Sequence, residues 1–288
     1  LRPRAREVMD QLLDDLERHG KPADLVEIVA VQLPIIIICD LLGVSPADQD
    51  RFRRVSSVVL ATGGPTRQEI IAASQELAGY LAELIAQRRE QPGDDLLSAL
   101  VQARDEEDKL SEPELVQLGV NLLFAGYETT ANQVANFAYV LLTDRPQWNR
   151  LLADRTLVPN AVEELLRWIP LAASGGFARI ATEDVELSGV LVKKGEAVFA
   201  KTHAANRDDS VFGCPEQLDL TREEIPHMTF GHGMHRCLGA QLARLELQVA
   251  LDALLTRYPN LALAMPAEEV EWKTGVLLRG PETLPVTW

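Results

Sequence analysis

The sequence is short of cysteine and histidine, and it has too few basic residues to balance its acids. Three cysteines in 288 residues, Cys39, Cys214 and Cys237, are too few for a disulfide scaffold, and the odd number leaves at least one unpaired. That usage fits a reducing compartment, so the expectation is a cytoplasmic protein. Lysine and arginine together number 28 against 43 acidic residues, a net charge of −15. This argues against a nucleic-acid binder and for a soluble surface. Long apolar runs are also lacking. The most apolar, Leu33 to Cys39, is far short of the roughly 20 residues a membrane span needs. Glu27, Gln32 and Asp40 interrupt its surroundings, and it reads as a buried helix, not a membrane segment. No secretory signal, internal repeat or low-complexity tract is visible. The 47% hydrophobic content is ample for a core, in one large domain or two small ones.

Against that background stands Phe230-Gly231-His232-Gly233-Met234-His235-Arg236-Cys237-Leu238-Gly239. It leads into Ala240 to Tyr258, whose leucines recur at helical spacing. Cys237 is therefore expected near a helix N-terminus, where free N–H groups and the helix dipole favour a thiolate. Gly231 and Gly233 permit backbone angles other residues avoid, and Gly239 lets something flat approach the main chain. Such a loop suits an axial haem ligand. Two other readings are a merely apolar buried cysteine and a zinc site from His227, His232, His235 and Cys237. The spacing matches no zinc pattern, and zinc leaves Phe230 and the glycines unexplained.

The segment resembles the cysteine-ligand loop of the cytochrome P450 family, F-x-x-G-x-x-x-C-x-G, of the soluble bacterial type. A second motif lies about a hundred residues earlier. Ala125-Gly126-Tyr127-Glu128-Thr129-Thr130 matches the family pattern [AG]-G-x-[DE]-T-[TS]. It sits inside a long helix that a capping box, Ser111 to Glu114, starts. Glycine and two threonines are odd there, because a Thr hydroxyl competes for a carbonyl one turn back. A third motif, Glu164 and Arg167, puts two opposite charges on one helix face.

The resemblance implies a mainly α protein with a minor β part, a single domain over residues 1–288. The chain opens at Leu1 without a methionine, and the family fold implies an N-terminal portion before it. The resemblance implies haem b, with Cys237 as the metal ligand and Phe230, Gly231, Gly239, Ala125, His235 and Arg179 as cofactor-binding residues, the last two toward a propionate. It makes Gly126 room for dioxygen, and Thr129 and Glu128 suppliers of a hydrogen bond and protons. Glu164 and Arg167 would brace the cysteine loop, and Gln217 stands at the position read as the network's usual basic member. Ala172, Ala173, Ser174, Gly175, Val276 and Leu277 would line a substrate pocket. The glycines near 63 and 64 would hinge a lid. The implied activity is insertion of one oxygen atom of O2 into a small apolar substrate. Electrons would come from ferredoxin and ferredoxin reductase, with Arg236, Arg244 and the basic start at Arg2, Arg4 and Arg6 as docking contacts. The expected protein is a monomer.

Periodicity and punctuation predict helices over about residues 4–19, 23–42, 45–60, 67–90, 94–104, 111–144, 159–168 and 240–258. Short β structure is predicted at 185–192 and 197–200, and hairpin pieces at 272–278 and 285–288.

Overall fold

The computed structural model describes residues 1–59, 61, 64–107, 110–172 and 178–288. Ala173, Ser174 and Gly175 of the expected pocket, and Gly63 of the expected hinge, lie outside the described residues.

The chain is mainly helical, and the longest helix is its axis. Helix α6 (Glu112–Thr143) begins at the predicted capping box: Ser111 N–H donates to Glu114 Oε2 at 2.8 Å. At 1.5 Å per residue it is about 48 Å long. Residues 130 to 138 are buried on every side, as expected of a helix with neighbours all round. Helices α2 (Gln32–Leu42), α4 (Arg67–Glu90) and α10 (Ala240–Arg257) pack against it. Helix α1 (Arg2–His19) buries Ala5, Val8, Met9, Leu12, Leu13 and Leu16, one apolar stripe, against α10 and α2. Helix α3 (Gln49–Val59) packs on α4, α5 (Leu96–Glu107) on α4 and α2, and α8 (Val158–Trp168) on α10.

The predicted helix over 23–42 is divided. Ala23–Asp24 forms strand β1, Val26–Ala30 a π-helical turn, and α2 starts only at Gln32. Pro34 explains part of this: with no N–H it cannot donate to the Ala30 carbonyl, and its ring crowds that oxygen. The chain widens just before it, so that Val31 N–H reaches back five residues to Val26 O at 3.0 Å. Helix α7 (Arg145–Ala153) was not predicted at all. Pro146 follows the predicted helix over 111–144, but it sits in the first turn of α7, where its missing N–H costs nothing. Helix α5 also runs on to Glu107, because Arg104 and Asp105 join Arg89 and Glu112 in an ion-pair network.

The β part is small. Strand β1 pairs antiparallel with β7 (Pro285–Thr287), and β7 with β6 (Ala262–Leu263). The predicted 272–278 piece is therefore not the partner of β7; it makes only single bridges, Trp272 to Pro281, Val276 to Ala61 and Leu278 to Ala172. Strands β3 (Val185–Leu187) and β4 (Val190–Val192) form the predicted hairpin, with Ser188 and Gly189 both at positive φ in its turn. Strands β2 (Arg179–Ile180) and β5 (Ala197–Val198) pair beside it.

Candidate active site

The loop before α10 is shaped by its glycines and held by its own backbone. Gly231 and Gly233 have φ of 70° and 74°, a region that favours glycine. Gly231 N–H donates to Met228 O, Arg236 N–H to Gly233 O, and Cys237 N–H to Phe230 O at 2.8 Å. Gly239 is the N-cap of α10, so Cys237 stands two residues outside the helix. The whole stretch from His232 to Gly239 is exposed, and Met234 and Leu238 reach 93% and 82%. Two large apolar side chains on either side of an open thiol have no reason to face water unless something apolar covers them.

Behind the loop lies a buried ion-pair cluster. Glu164 and Arg167 of α8 have no side-chain exposure at all. Arg167 Nε and Nη2 donate to the two Glu164 oxygens at 2.7 and 2.8 Å, a bidentate pair. The remaining donors reach the carbonyls of Asn206, Pro215 and Gln217. Gln217 thus contributes only its backbone. The basic third member is Arg222, whose Nε donates to Glu164 Oε2 at 3.2 Å, while Asp219 N–H donates to Oε1. Sequence spacing placed that member five residues too early, because the turns from Cys214 to Arg222 bring a later residue back to the helix. Asn206 carries the cluster onward. Its Oδ1 accepts from Met228 N–H at 2.6 Å and its Nδ2 donates to Thr229 Oγ1 at 3.0 Å.

The middle of α6 carries the second motif. Thr129 Oγ1 donates to Ala125 O at 2.7 Å, the carbonyl one turn back. Ala125 is exposed and Thr129 half-buried, just before the fully buried stretch from 130 to 138. Gly126 differs from the expectation. A Cβ built on it would lie 2.7 Å from Cδ1 of Ile38, so the room it leaves is filled by α2. Glu128 Oε2 is buried without a hydrogen-bond partner. Burial pushes its carboxyl above the usual range, opposed by Lys273. Lys273 Nζ donates to Asn132 Oδ1 at 3.2 Å, and Asn132 Nδ2 to Glu128 O at 2.8 Å. Asn132 is pinned from the far side by Gly280, where any Cβ would collide with its Oδ1.

Comparison with known proteins accords with this arrangement. The cytochrome P450 family description matches residues 44–154 and 140–284. The chain belongs to the cytochrome P450 family. It is 56% identical over 287 residues to nocardicin C N-oxygenase of Nocardia uniformis subsp. tsuyamanensis, covering all of this chain and 72% of that protein. It is 52% identical over 289 residues to mycinamicin IV hydroxylase/epoxidase of Micromonospora griseorubida, with the same coverage. Among solved structures, the LnmA cytochrome P450 hydroxylase of the leinamycin pathway of Streptomyces atroolivaceus superposes with a TM-score of 0.94 at 50% identity, over all of this chain and 74% of that one. The protein is accordingly a monooxygenase-type oxidoreductase, and the family implies a haem cofactor. The residues present fit a flat thiolate-ligated group: an open thiol, apolar side chains awaiting cover, and a loop free of side chains at its two tightest turns.

Other residues of this P450 fall as follows. Arg179 lies in β2 and is exposed, and His235 ends the short turn Gly233–His235, also exposed. The bridges of Ala172 to Leu278 and Val276 to Ala61 draw the described pocket candidates, Leu277 between them, toward the α3–α4 connection. The zinc reading loses its ligand set. His227 engages Glu163 Oε2 through Nε2 and Thr229 N–H through Nδ1, and no group of three metal-binding side chains exists among the described residues. The docking cations also change. Arg244 is committed to Glu163 at 2.7 and 2.8 Å, Arg4 to Asp40 and Arg2 to Gln248. Arg236 is exposed. No helix among the described residues is long and apolar enough to cross a membrane.

Proposed function

We propose that this P450, as a single domain, holds haem b through the Cys237 thiolate and inserts one oxygen atom of O2 into a small apolar substrate. Cys237 carries the reading: an exposed thiol on a glycine-shaped loop, beside the N-terminus of α10, flanked by exposed Met234 and Leu238. When bound, haem supplies the oxygen activation that side chains cannot. The loop's part is to keep Cys237 aimed. The hydrogen bond from its N–H to Phe230 O fixes its backbone. Phe230, Gly231, Gly239 and Ala125 would lie against the flat group, with Arg179 and His235 meeting its carboxylates.

Glu128 and Thr129 are the proton-handling pair. The raised carboxyl of Glu128 holds a proton more readily than an exposed acid would, and its Oε2 has no competing partner. The Thr129 hydroxyl rests on Ala125 O and can rotate to offer its proton elsewhere. Gly126 serves by letting α2 approach α6 closely. Glu164 and Arg167 hold the loop from behind. Ala172, Val276 and Leu277, with Ala173, Ser174 and Gly175, would line the substrate space. Electrons would come from a ferredoxin and its reductase, docking near Arg236. We place the enzyme as a monomer in the cytoplasm and in secondary metabolism, where nocardicin C N-oxygenase and mycinamicin IV hydroxylase/epoxidase act.

The test is isotopic. A substrate panel including mycinamicin IV and nocardicin C is incubated with the reconstituted electron-transfer chain under heavy-isotope dioxygen. The expected product carries one labelled oxygen. Label derived from water instead would contradict the proposal.

A further inference from the structure

Glu163 precedes the buried Glu164 on α8, and no motif singled it out. Its surroundings are unlike those of an ordinary surface acid. Arg244 of α10 binds it bidentately, Nε to Oε1 at 2.7 Å and Nη2 to Oε2 at 2.8 Å. His227 Nε2 lies 3.1 Å from the same Oε2, on a ring that is almost wholly buried. Because His227 Nδ1 accepts from Thr229 N–H at 3.2 Å, the ring proton must sit on Nε2, and the imidazole donates to Glu163. One carboxylate thus gathers donors from α10 and from the strand of chain entering the cysteine loop.

The cluster closes over Phe230. The Arg244 guanidinium carbon lies 4.5 Å from the centroid of its ring, and the His227 ring centroid is 5.7 Å away. The carbonyl of that same Phe230 accepts the amide of Cys237. A guanidinium locked in one plane by a bidentate carboxylate therefore fixes an aromatic ring, and the ring's residue fixes the cysteine's backbone. We propose that Glu163, Arg244 and His227 form a second brace of the cysteine loop, distinct from the Glu164–Arg167 cluster, and position the Cys237 thiolate through Phe230.

The two braces meet at Thr229 and otherwise grip different points. Glu164 and Arg167 act through Asn206 on Met228 and Thr229, at the loop's entry. Glu163 acts on Phe230 and, through Arg244, on the second turn of α10, beyond the loop's exit. Adjacent acids on one helix turn point to different sides, so a single segment of α8 can hold both ends. Lysine at position 244 could keep the charge but not the fork or the flat stack on Phe230.

The proposal rests on Cys237 being the haem ligand, and the experiment separates the two. Wild type is compared with Glu163→Gln, Arg244→Lys and the control Arg155→Ala, which removes an ion pair to Asp252 further along α10. Amide hydrogen exchange over residues 230–239, which needs no assumption about the ligand, is measured alongside the reduced carbon-monoxide spectrum of the haem-loaded protein. The expected result is faster exchange of the loop, with a loss of the thiolate-type band, in both brace variants and not in Arg155→Ala. Unchanged loop exchange would overturn the brace. Faster exchange with an intact band would overturn its positioning role. A wild type lacking the thiolate-type band would overturn the ligand assignment, while the exchange data still judge the brace.

Discussion

A methyl group at Gly126 would meet the side chain of Ile38 at 2.7 Å, so Ile38 or the helix carrying it would have to shift. Overpacking of this kind typically costs about 1–3 kcal/mol. Gly126→Ala is therefore expected to lower the unfolding midpoint, and Ile38→Val in the same chain to recover part of the loss; a Gly126→Ala chain as stable as wild type would show that α2 and α6 are not in close contact. Glu246 offers a test of different character. It is fully buried in α10, neither oxygen has a partner, and burial raises its carboxyl to about 8. The folded chain prefers the neutral acid, while the unfolded chain ionises near the ordinary value. The benefit of the neutral form is complete below about pH 4.5 and is lost as pH rises through about 8. Glu246→Gln, neutral throughout, is expected to gain on wild type across that window by at most ~1.4 kcal/mol per pH unit. Denaturant midpoints of the two chains across the window check this, and a constant difference would contradict it.

At the scale of the element, α8 matters most. Removing Arg167 leaves the Glu164 carboxylate, which has no exposure, with only Arg222 and one backbone N–H as partners. Breaking a buried pair from one side costs about 3–5 kcal/mol, so Arg167→Ala is expected to abolish cooperative folding or reduce it to that degree. Arg222→Ala, at the rim of the cluster, should cost less. Equal losses in the two variants would mean that the load is not carried by the bidentate pair. The elements themselves were legible where local chemistry speaks alone: α4 begins at its capping box, Thr66 with Glu69, and ends before Pro92, and α6 likewise starts at Ser111. They were illegible where one residue type has two uses. Pro146 can stop a helix or start one, and it starts α7. Ala23 and Asp24 continue an apolar pattern, but β7 recruits them from the far end of the chain. Arg222 and Glu163 escaped notice for a related reason, since their importance lies in partners 58 and 81 residues away, which periodicity cannot reveal.

For the whole molecule, the helices of a cytochrome P450 converge on α6, and the cysteine loop feeds into α10, which packs against that axis. Each motif-bearing segment carries exposed positions: Ala125 on α6, and residues 232 to 239 on the loop. The account makes these exposures one feature, a place for a flat cofactor bound by a thiolate. The most direct test is the absorption spectrum of the haem-loaded, reduced chain with and without carbon monoxide. The account predicts a strongly red-shifted Soret band that vanishes in Cys237→Ala. A band of histidine-ligated type, a red-shifted band that survives Cys237→Ala, or no haem uptake at all would contradict it.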